Sequence, residues 1–353
     1  MTERGRRSPD LPPQEQLERL VDGYLTTQLI YVATVLGIPD ALAEGPLTSS
    51  ELASAPCVNS LALHRVLRGL AAIGVLDEQE DGRFTLTPSG ALLQDGVPGS
   101  LRGAVLARGG LYYEVAGGLL DALREGGSAF EQIRGQSFFD YLAEHSDEAA
   151  VFQGSMAARS TQEAASVVAS YDFGRFHRLV DVGGGHGILL AAILQAAPAL
   201  HGTLLDRPVA VEHARRQLEA IDVIDRCTLV EGDFFAAVPA GDDGYLLSRV
   251  IHDWDDEAAR RILRRCHEAM PPDGTLLLVE AILPEHAADQ PAAIRMDLHM
   301  LTLLGGRERT EAEYRELLES AGFRLQRVVP TPSTVGIRIL EAKADPSPGP
   351  SPR

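Results

Sequence analysis

Residues 179–187 read LVDVGGGHG, an apolar strand that ends in an acid and a turn rich in glycine. A helical run, Ile188 to Ala196, follows directly. Glycine accepts positive φ and lets a ligand approach the backbone closely. A strand, a tight turn and a helix in this order build a nucleotide-type site at the carboxyl end of the strand. This segment therefore predicts an α/β domain with a ligand site at the turn.

The spacing of the glycines limits which nucleotide fits. The dinucleotide fingerprint G-x-G-x-x-G fails in both registers, because its third glycine falls on Ile188 or on Leu190. The pattern present is D-x-G-x-G-x-G, which makes Asp181, Gly183 and Gly185 candidate cofactor residues.

Composition excludes several classes of function. The chain has 353 residues, with 45% hydrophobic and 23% charged residues, as in a globular protein of two domains. The formal net charge of −18 disfavours partners that need a basic face, so we expect no nucleic acid and no membrane. No apolar run approaches the roughly 20 residues of a spanning helix. Three separated cysteines, Cys57, Cys227 and Cys266, suggest neither disulfides nor zinc, and a cytoplasmic location is the simplest expectation.

From Leu179 onward, strands alternate with helices, which is typical of a mostly parallel sheet. We predict five strands at 179–182, 202–206, 227–231, 244–248 and 275–280. Two late strands, 323–329 and 335–342, flank a Pro-rich turn, so we predict an antiparallel hairpin at one edge of the sheet.

The N-terminal part has a different pattern. Residues 14–42 are helical in period, Thr48 to Glu51 form a capping box, and a helix at 60–73 precedes a hairpin with an Asp81-Gly82 turn. This order predicts a winged-helix-like domain at 14–100. A helical linker and substrate-lining region at 101–170 and a catalytic domain at 171–343 follow. We expect the tails 1–13 and 344–353 to be disordered.

Other residues at the strand ends are candidates for cofactor binding. Asp206 lies about 20 residues after the glycine turn, where an acid accepts hydrogen bonds from ribose hydroxyls. Asp233 and Phe234 follow the third strand and could take the amino group and the ring of adenine. Ser248 and Arg249 end the fourth strand and could face the ligand, although Arg249 could equally lie at the surface.

Four motifs resemble the small-molecule O-methyltransferases of the plant caffeate and acetylserotonin type and their bacterial natural-product relatives. These motifs are LVDVGGGHG (179–187), EGDFF (231–235), SRVIHDWDDE (248–257) and GGRERTEAEY (305–314). The likeness covers about residues 14–342. It implies S-adenosyl-L-methionine as cofactor, a Rossmann-like methyltransferase domain and a homodimer formed through the winged-helix domain.

His252 is the candidate base. It follows the fourth strand, and an imidazole titrates near pH 6.5, so it can take the proton of a phenol whose own pKa is near 10. Glu280 ends an apolar strand and needs a polar partner, either the His252 ring or a loop that it caps. By resemblance, His252, Glu280 and Glu308 fall on the base of the family and its two orienting acids. Ser248 stands where plant members commonly carry lysine.

An aromatic substrate would need an apolar pocket. Met156, Asp297, Met300 and Leu303 are candidates to line it, although core packing is an equal interpretation. No histidine spacing supports a metal site, so we expect none.

We therefore predict methylation of a hydroxyl, most simply a phenol, on an aromatic natural product. Two alternatives remain. A protein of the same fold could use the cofactor for decarboxylation, hydroxylation or cyclisation. A ligand-responsive DNA-binding protein could use the winged-helix domain, but the helix at 61–73 offers only Arg65 and Arg68 as basic contacts.

Overall fold

The computed structural model describes residues 11–53, 58–333 and 335–345, except for the side chains of residues 157–159. The chain forms two compact units. The first contains the described residues up to Glu114 together with His145–Ala158, and the second contains Val115–Glu144 and the chain from Arg159 onward. The segment 101–170 is thus divided between the two units. Cys57 and most of both predicted tails lie outside the described residues, although the first helix already begins at Pro13 and the last strand continues to Ala344.

The first unit consists of helices and a three-stranded antiparallel sheet of order β1-β3-β2. Its elements are α1 (Pro13–Val21), α2 (Gly23–Val35), α3 (Ile38–Ala41), β1 (Leu47–Thr48), α4 (Ser49–Leu52), α5 (Ser60–Ala72), β2 (Leu76–Glu78), β3 (Arg83–Leu86), α6 (Pro88–Ala91) and α7 (Arg102–Gly109). The run predicted as helical from 14 to 42 is three helices, because the chain turns at Asp22 and at Gly37, whose φ is +66°.

Local sequence signals set the ends of these elements. Thr48 accepts a hydrogen bond from the Glu51 N–H while Glu51 accepts one from the Thr48 N–H, so the predicted capping box is confirmed. The predicted hairpin joins β2 to β3 through Gly82, whose φ is +79°. The core of this unit packs leucines of α5 against Phe84 of β3. In contrast, α1 buries none of its residues, and Leu20 is 77% exposed.

Five helices connect this region to the sheet of the second unit: α8 (Leu111–Ala116), α9 (Leu119–Glu125), α10 (Ala129–Arg134), α11 (Phe138–Glu144) and α12 (Ser146–Ser170). The remaining strands are β4 (Arg178–Val182), β5 (His201–Asp206), β6 (Cys227–Glu231), β7 (Gly244–Ser248), β8 (Thr275–Ala281), β9 (Phe323–Pro330) and β10 (Ile337–Ala344). The remaining helices are α13 (Ile188–Ala196), α14 (Pro208–Ala220), α15 (Asp256–Ala269), α16 (Pro291–Leu303) and α17 (Glu311–Ser320).

The large sheet has the order β6-β5-β4-β7-β8-β10-β9. Strands β4 to β8 pair in parallel, and β10 pairs antiparallel with both β8 and β9. The α/β fold, the mostly parallel sheet and the late antiparallel hairpin are therefore as predicted. A parallel sheet is covered on both faces, and two separate apolar clusters pack here on β4, one around Leu179 and the other around Val180 and Val182.

Within the described residues, no single helix is long and apolar enough to cross a membrane. One pair of segments, Gly23–Val35 and Ile38–Glu44, passes the test of length and composition together, but the pair is bent by 58°. The cytoplasmic location stays a prediction.

Candidate active site

The glycine turn after β4 has left-handed backbone at three positions. Gly183, Gly185 and Gly187 have φ of +72°, +56° and +72°. A Cβ on Gly183 would lie 2.9 Å from Cγ2 of Val250, so this position is closed to other residues. At Gly185, a Cβ would meet no described atom within 4 Å. The turn is therefore packed on one side and open on the other, which suits a ligand laid against its backbone.

Two carboxylates lie beside this turn. Asp206, at the end of β5, accepts hydrogen bonds from the N–H groups of Gly185, at 2.7 Å, and Arg207. Asp181 is buried, and both of its carboxylate oxygens have no hydrogen-bond partner among the described residues. Burial, reinforced by the charge of Asp206, raises the pKa of Asp181 to about 7. An orphaned polar group beside an open glycine turn fits a site that is completed by a polar ligand.

The other cofactor candidates lie at the same edge of the sheet. Asp233 is exposed just after β6, with Oδ1 accepting the N–H of Phe235. Phe234 is half-buried and meets the edge of Trp254 at 6.1 Å between ring centroids. Ser248 ends β7 opposite Val279. The cofactor contacts of these residues stay predictions.

Beyond Ser248 the chain leaves the sheet through a strained residue. Arg249 has φ of +56°, a conformation that non-glycine residues rarely adopt. Its N–H still donates to Val279, whereas the next two N–H groups, of Val250 and Ile251, both donate to Oε1 of Glu280, at 3.1 and 2.8 Å. The carboxylate of Glu280 thus continues the ladder where the strand ends. Of the two interpretations of Glu280, the structure favours the loop cap.

The ring of His252 is hydrogen-bonded to Glu308 and not to Glu280. Nδ1 of His252 lies 2.9 Å from Oε1 of Glu308, and both side chains are buried. The N–H of Glu308 donates to Asp297 of α16, and the N–H of Arg307 donates to the carbonyl of His252. These contacts hold the segment before α17 against the segment after β7, although 56 residues separate the histidine from the glutamate.

A guanidinium completes this cluster. Nη1 of Arg249 lies 3.2 Å from the same Oε1 of Glu308 and 4.0 Å from Oε2 of Glu280. The Arg249 side chain is 17% exposed, so it is not a surface residue, and its charge is directed to the glutamates. One ligand atom from each of His252, Glu280 and Glu308 lies within 4.8 Å of the others. Because the positive charge among these carboxylates is already a guanidinium, we do not identify the cluster as a metal site.

Three groups of this cluster, Glu308, Glu280 and His252, have opposed pKa shifts. Burial disfavours the charge of Glu308, but Arg249 and His252 outweigh it and hold the pKa of Glu308 at about 2. Burial raises the pKa of Glu280 to about 7. For His252, burial and Arg249 lower the pKa, and the carboxylates of Glu308, Asp253 and Glu280 more than offset them, so the pKa is raised. Groups with opposed shifts in one cluster are typical of an active site.

Two residues of the cluster, Asp253 and Arg309, were not identified from the sequence. Asp253 has its Oδ1 3.2 Å from Nε2 of His252, and burial raises its pKa to about 6. Arg309 is fully buried and donates to the carbonyls of Ile251 and Trp254 while pairing with Asp256. The run HDWDD and the repeated arginines of GGRERT were the available signals, since acids and bases concentrated in two distant segments often pair.

The candidates for substrate contact fall in different places. Met300 and Leu303 are buried on α16, the helix that also carries Asp297. Met156 lies on the part of α12 that belongs to the first unit. The role of all four in substrate binding stays a prediction.

Comparison with known proteins identifies the class. Residues 117–324 match the family model of the O-methyltransferase domain, and residues 18–95 match that of the O-methyltransferase dimerisation domain. A phenazine O-methyltransferase of Lysobacter antibioticus is 43% identical over 97% of this chain and 99% of its own length. A phenazine-1-carboxylate N-methyltransferase of Pseudomonas aeruginosa is 34% identical over 95% of this chain and 99% of its own.

A solved structure agrees. An O-methyltransferase from neocarzinostatin biosynthesis, in complex with S-adenosyl-L-homocysteine and 1,4-dihydroxy-2-naphthoic acid, superposes with a TM-score of 0.84. It is 34% identical and covers 93% of this chain and 98% of its own.

The fold and the glycine site thus define an S-adenosylmethionine-dependent methyltransferase, EC class 2.1.1. Within that class, the chain belongs to the O-methyltransferase family of natural-product pathways, with its own dimerisation domain.

Proposed function

We propose that this enzyme methylates a phenolic hydroxyl of a flat aromatic natural product, with His252 as general base, Glu308 orienting the imidazole ring and Glu280 orienting the loop that carries it. The supporting observation is the buried hydrogen bond between Nδ1 of His252 and Glu308. If Nδ1 carries the proton that Glu308 accepts, Nε2 is left with a lone pair. That nitrogen can take the hydroxyl proton as the phenol oxygen attacks, and Glu308 then stabilises the imidazolium.

The cofactor residues in this proposal are those at the carboxyl edge of the sheet. Asp206 accepts hydrogen bonds from the ribose hydroxyls, and Asp233 and Phe234 contact the adenine. The backbone of the glycine turn at 183–185 lies against the cofactor. Asp181, Ser248 and Arg249 border the same space. S-adenosylmethionine supplies an electrophilic methyl group on its sulfonium. The protein contributes orientation, which can account for several kcal/mol of the barrier.

The relatives support an aromatic acceptor. The Lysobacter relative is named for a phenazine and the solved neocarzinostatin enzyme holds a naphthoic acid, and both are fused aromatic rings. In this proposal Met300 and Leu303 form the apolar side of the acceptor site, with Asp297 as a further contact. A homodimer formed through the N-terminal domain is part of the proposal, since residues 18–95 match a dimerisation model.

N-methylation is the second candidate, because the Pseudomonas relative is named an N-methyltransferase. A ring nitrogen with a free lone pair needs no base, so the two candidates differ in their dependence on His252.

A mass-spectrometric assay tests the proposal. The enzyme is incubated with S-adenosylmethionine and a panel of phenols, naphthols and phenazines, and both S-adenosylhomocysteine and product mass are followed. We expect a product heavier by one methylene, with the rate reduced about 10²–10⁴-fold in His252→Ala. Methylation within a few-fold of wild type in that variant would reject the base role. A product without the added methylene would indicate the decarboxylating or hydroxylating alternative.

A further inference from the structure

His252 lies among three carboxylates. Glu308 reaches Nδ1 from the segment before α17, Asp253 reaches Nε2 from the next residue, and Glu280 approaches from β8. An imidazole in such surroundings gains a proton easily, because each nearby negative charge favours the imidazolium. A base that already holds a proton cannot accept one from a substrate.

Arg249 is the cation that opposes these charges. Nη1 of Arg249 lies 3.2 Å from Oε1 of Glu308, and Nδ1 of His252 lies 2.9 Å from the same oxygen. The arginine and the histidine therefore share a single carboxylate. Among the largest electrostatic effects on His252, that of Arg249 lowers the pKa, whereas those of Glu308, Asp253 and Glu280 raise it. The charges facing Arg249 itself are those of Glu308, Glu280 and Glu163, together with the phenol of Tyr314.

The backbone shows that this placement is costly. The left-handed conformation is unfavourable for arginine, and such strain persists at sites where the surroundings impose it. Here the Arg249 N–H is the last in this ladder to donate to a β8 carbonyl, and the turn directs its side chain to the two glutamates. An ordinary surface residue at this position would be expected to relax or to be glycine.

We propose that Arg249 is a positioning residue that shares the Glu308 carboxylate with His252 and thereby limits protonation of the imidazole in the resting enzyme. In this proposal the guanidinium acts on His252 through the carboxylate of Glu308. It sets the pH above which His252 can act. This inference rests on the proposed function of His252 as base, but its first test requires no substrate.

The variant Arg249→Gly removes the charge and suits the left-handed backbone, so we expect it to fold. Arg249→Asn also tolerates this conformation and serves the same comparison if the glycine variant is unstable. Arg249→Lys keeps the charge. Arg260→Gln is the matched control, because Arg260 is a half-buried arginine of α15 whose side chain donates a hydrogen bond to Ser320.

The readout is the titration of His252 by NMR in the full chain carrying ¹³C-histidine, with its resonance assigned by its loss in His252→Gln. We expect the midpoint to rise by about one pH unit or more in Arg249→Gly. In Arg249→Lys the midpoint should lie close to that of the wild type, and in Arg260→Gln it should equal the wild-type value. An unchanged or lower midpoint in the glycine and asparagine variants would overturn the proposal.

The pH profile of methyl transfer, with an acceptor found in the mass assay, is the second readout. In Arg249→Gly we expect kcat at saturating S-adenosylmethionine to fall about tenfold at pH 7 and to recover near pH 9. A merely structural role would lower kcat at every pH. If the NMR midpoint rises but methyl transfer does not depend on His252, the base role fails and the assignment of Arg249 stands.

Discussion

At the scale of single residues, a conservative substitution can separate the negative charge of Glu308 from its hydrogen bond to His252. Glu308→Gln keeps an oxygen for Nδ1 of His252 but removes the charge that stabilises the imidazolium. We expect kcat to fall about 10²-fold or more. The pKa of His252 should also fall, because Glu308 is one of the groups that raise it. The measurement is kcat against pH.

The control for this prediction is Glu311→Gln, an exposed glutamate that pairs with Arg315 within α17. It should leave kcat within twofold of wild type. Equal kcat in Glu308→Gln and wild type would show that the imidazolium needs no counter-charge.

Asp181 gives a prediction about stability and pH. Its pKa of about 7 lies above the value of roughly 4 in an unfolded chain, so between these pH values the folded state binds the extra proton. The free energy of unfolding must therefore fall as pH rises from about 4 to about 7 through this group. Asp181→Asn removes the effect and should raise the Tm by a few degrees at pH 8, with a smaller gain at pH 4.5.

Calorimetry of the cofactor-free protein measures this difference. The exposed Asp225, changed to Asn, should leave the pH dependence as in wild type. The same pH dependence in Asp181→Asn as in wild type would mean that Asp181 is ionised in the folded state.

The sequence could predict residues whose position follows from local order. The glycine turn, Asp206 and His252 each lie at or shortly after the carboxyl end of a parallel strand, so the topology alone places them at one edge of the sheet. It could not predict which acid bonds His252, because Glu280 and Glu308 both lie far along the chain and the choice depends on how their segments pack. The left-handed backbone of Arg249 had no signal, since arginine rarely adopts it.

At the scale of elements, the GGRERT segment is held against the turn after β7 by a very close approach. A Cβ on Gly306 would come within 3 Å of the backbone of His252 and Asp253. Gly306→Ala should therefore push the segment away, break the bond from Arg307 to His252 and displace Glu308. We expect kcat to fall about 10²-fold and the Tm to fall by several degrees, while the KM for S-adenosylmethionine changes little.

Gly154→Ala is the matched control. Gly154 lies in helix α12, and a Cβ there meets no described atom within 4 Å. Alanine should be neutral or stabilise by about 0.5–1 kcal/mol. If the two variants had the same kcat and Tm, the close approach at Gly306 would not be needed for activity or stability.

Strand bounds were predicted within one or two residues because burial and turn residues mark both ends. The segment 14–42 was predicted less well: its apolar residues are spaced for one helix, but Asp22 and Gly37 divide it. The spacing of apolar residues predicts which face of a helix is apolar, but it does not predict a bend between consecutive helices.

At the scale of the whole molecule, the exposed apolar face of α1 and α2 predicts the state of assembly. Leu20 and Leu25 are 77% and 51% exposed within the region that matches a dimerisation model, and Leu17, just before that region, is 62% exposed. Contiguous exposed apolar surface marks an interface. We therefore expect the wild type to be a dimer at micromolar concentration and Leu20→Asp, which places a charge on this face, to be a monomer, as measured by sedimentation equilibrium.

Val209→Asp serves as the control, since Val209 is 67% exposed on α14 of the second unit. It should leave the mass unchanged. A monomeric wild type, or a Leu20→Asp protein that stays dimeric, would exclude this face as the interface.

The position of β10 affects how a nascent chain matures. This strand lies between β8 and β9, yet both neighbours precede it in the sequence, so each is made before its partner. Until β10 inserts between them, β8 has an open edge and β9 has no strand to pair with, and open strand edges associate with other chains. Protection by chaperones should therefore matter most until β10 has paired with both neighbours.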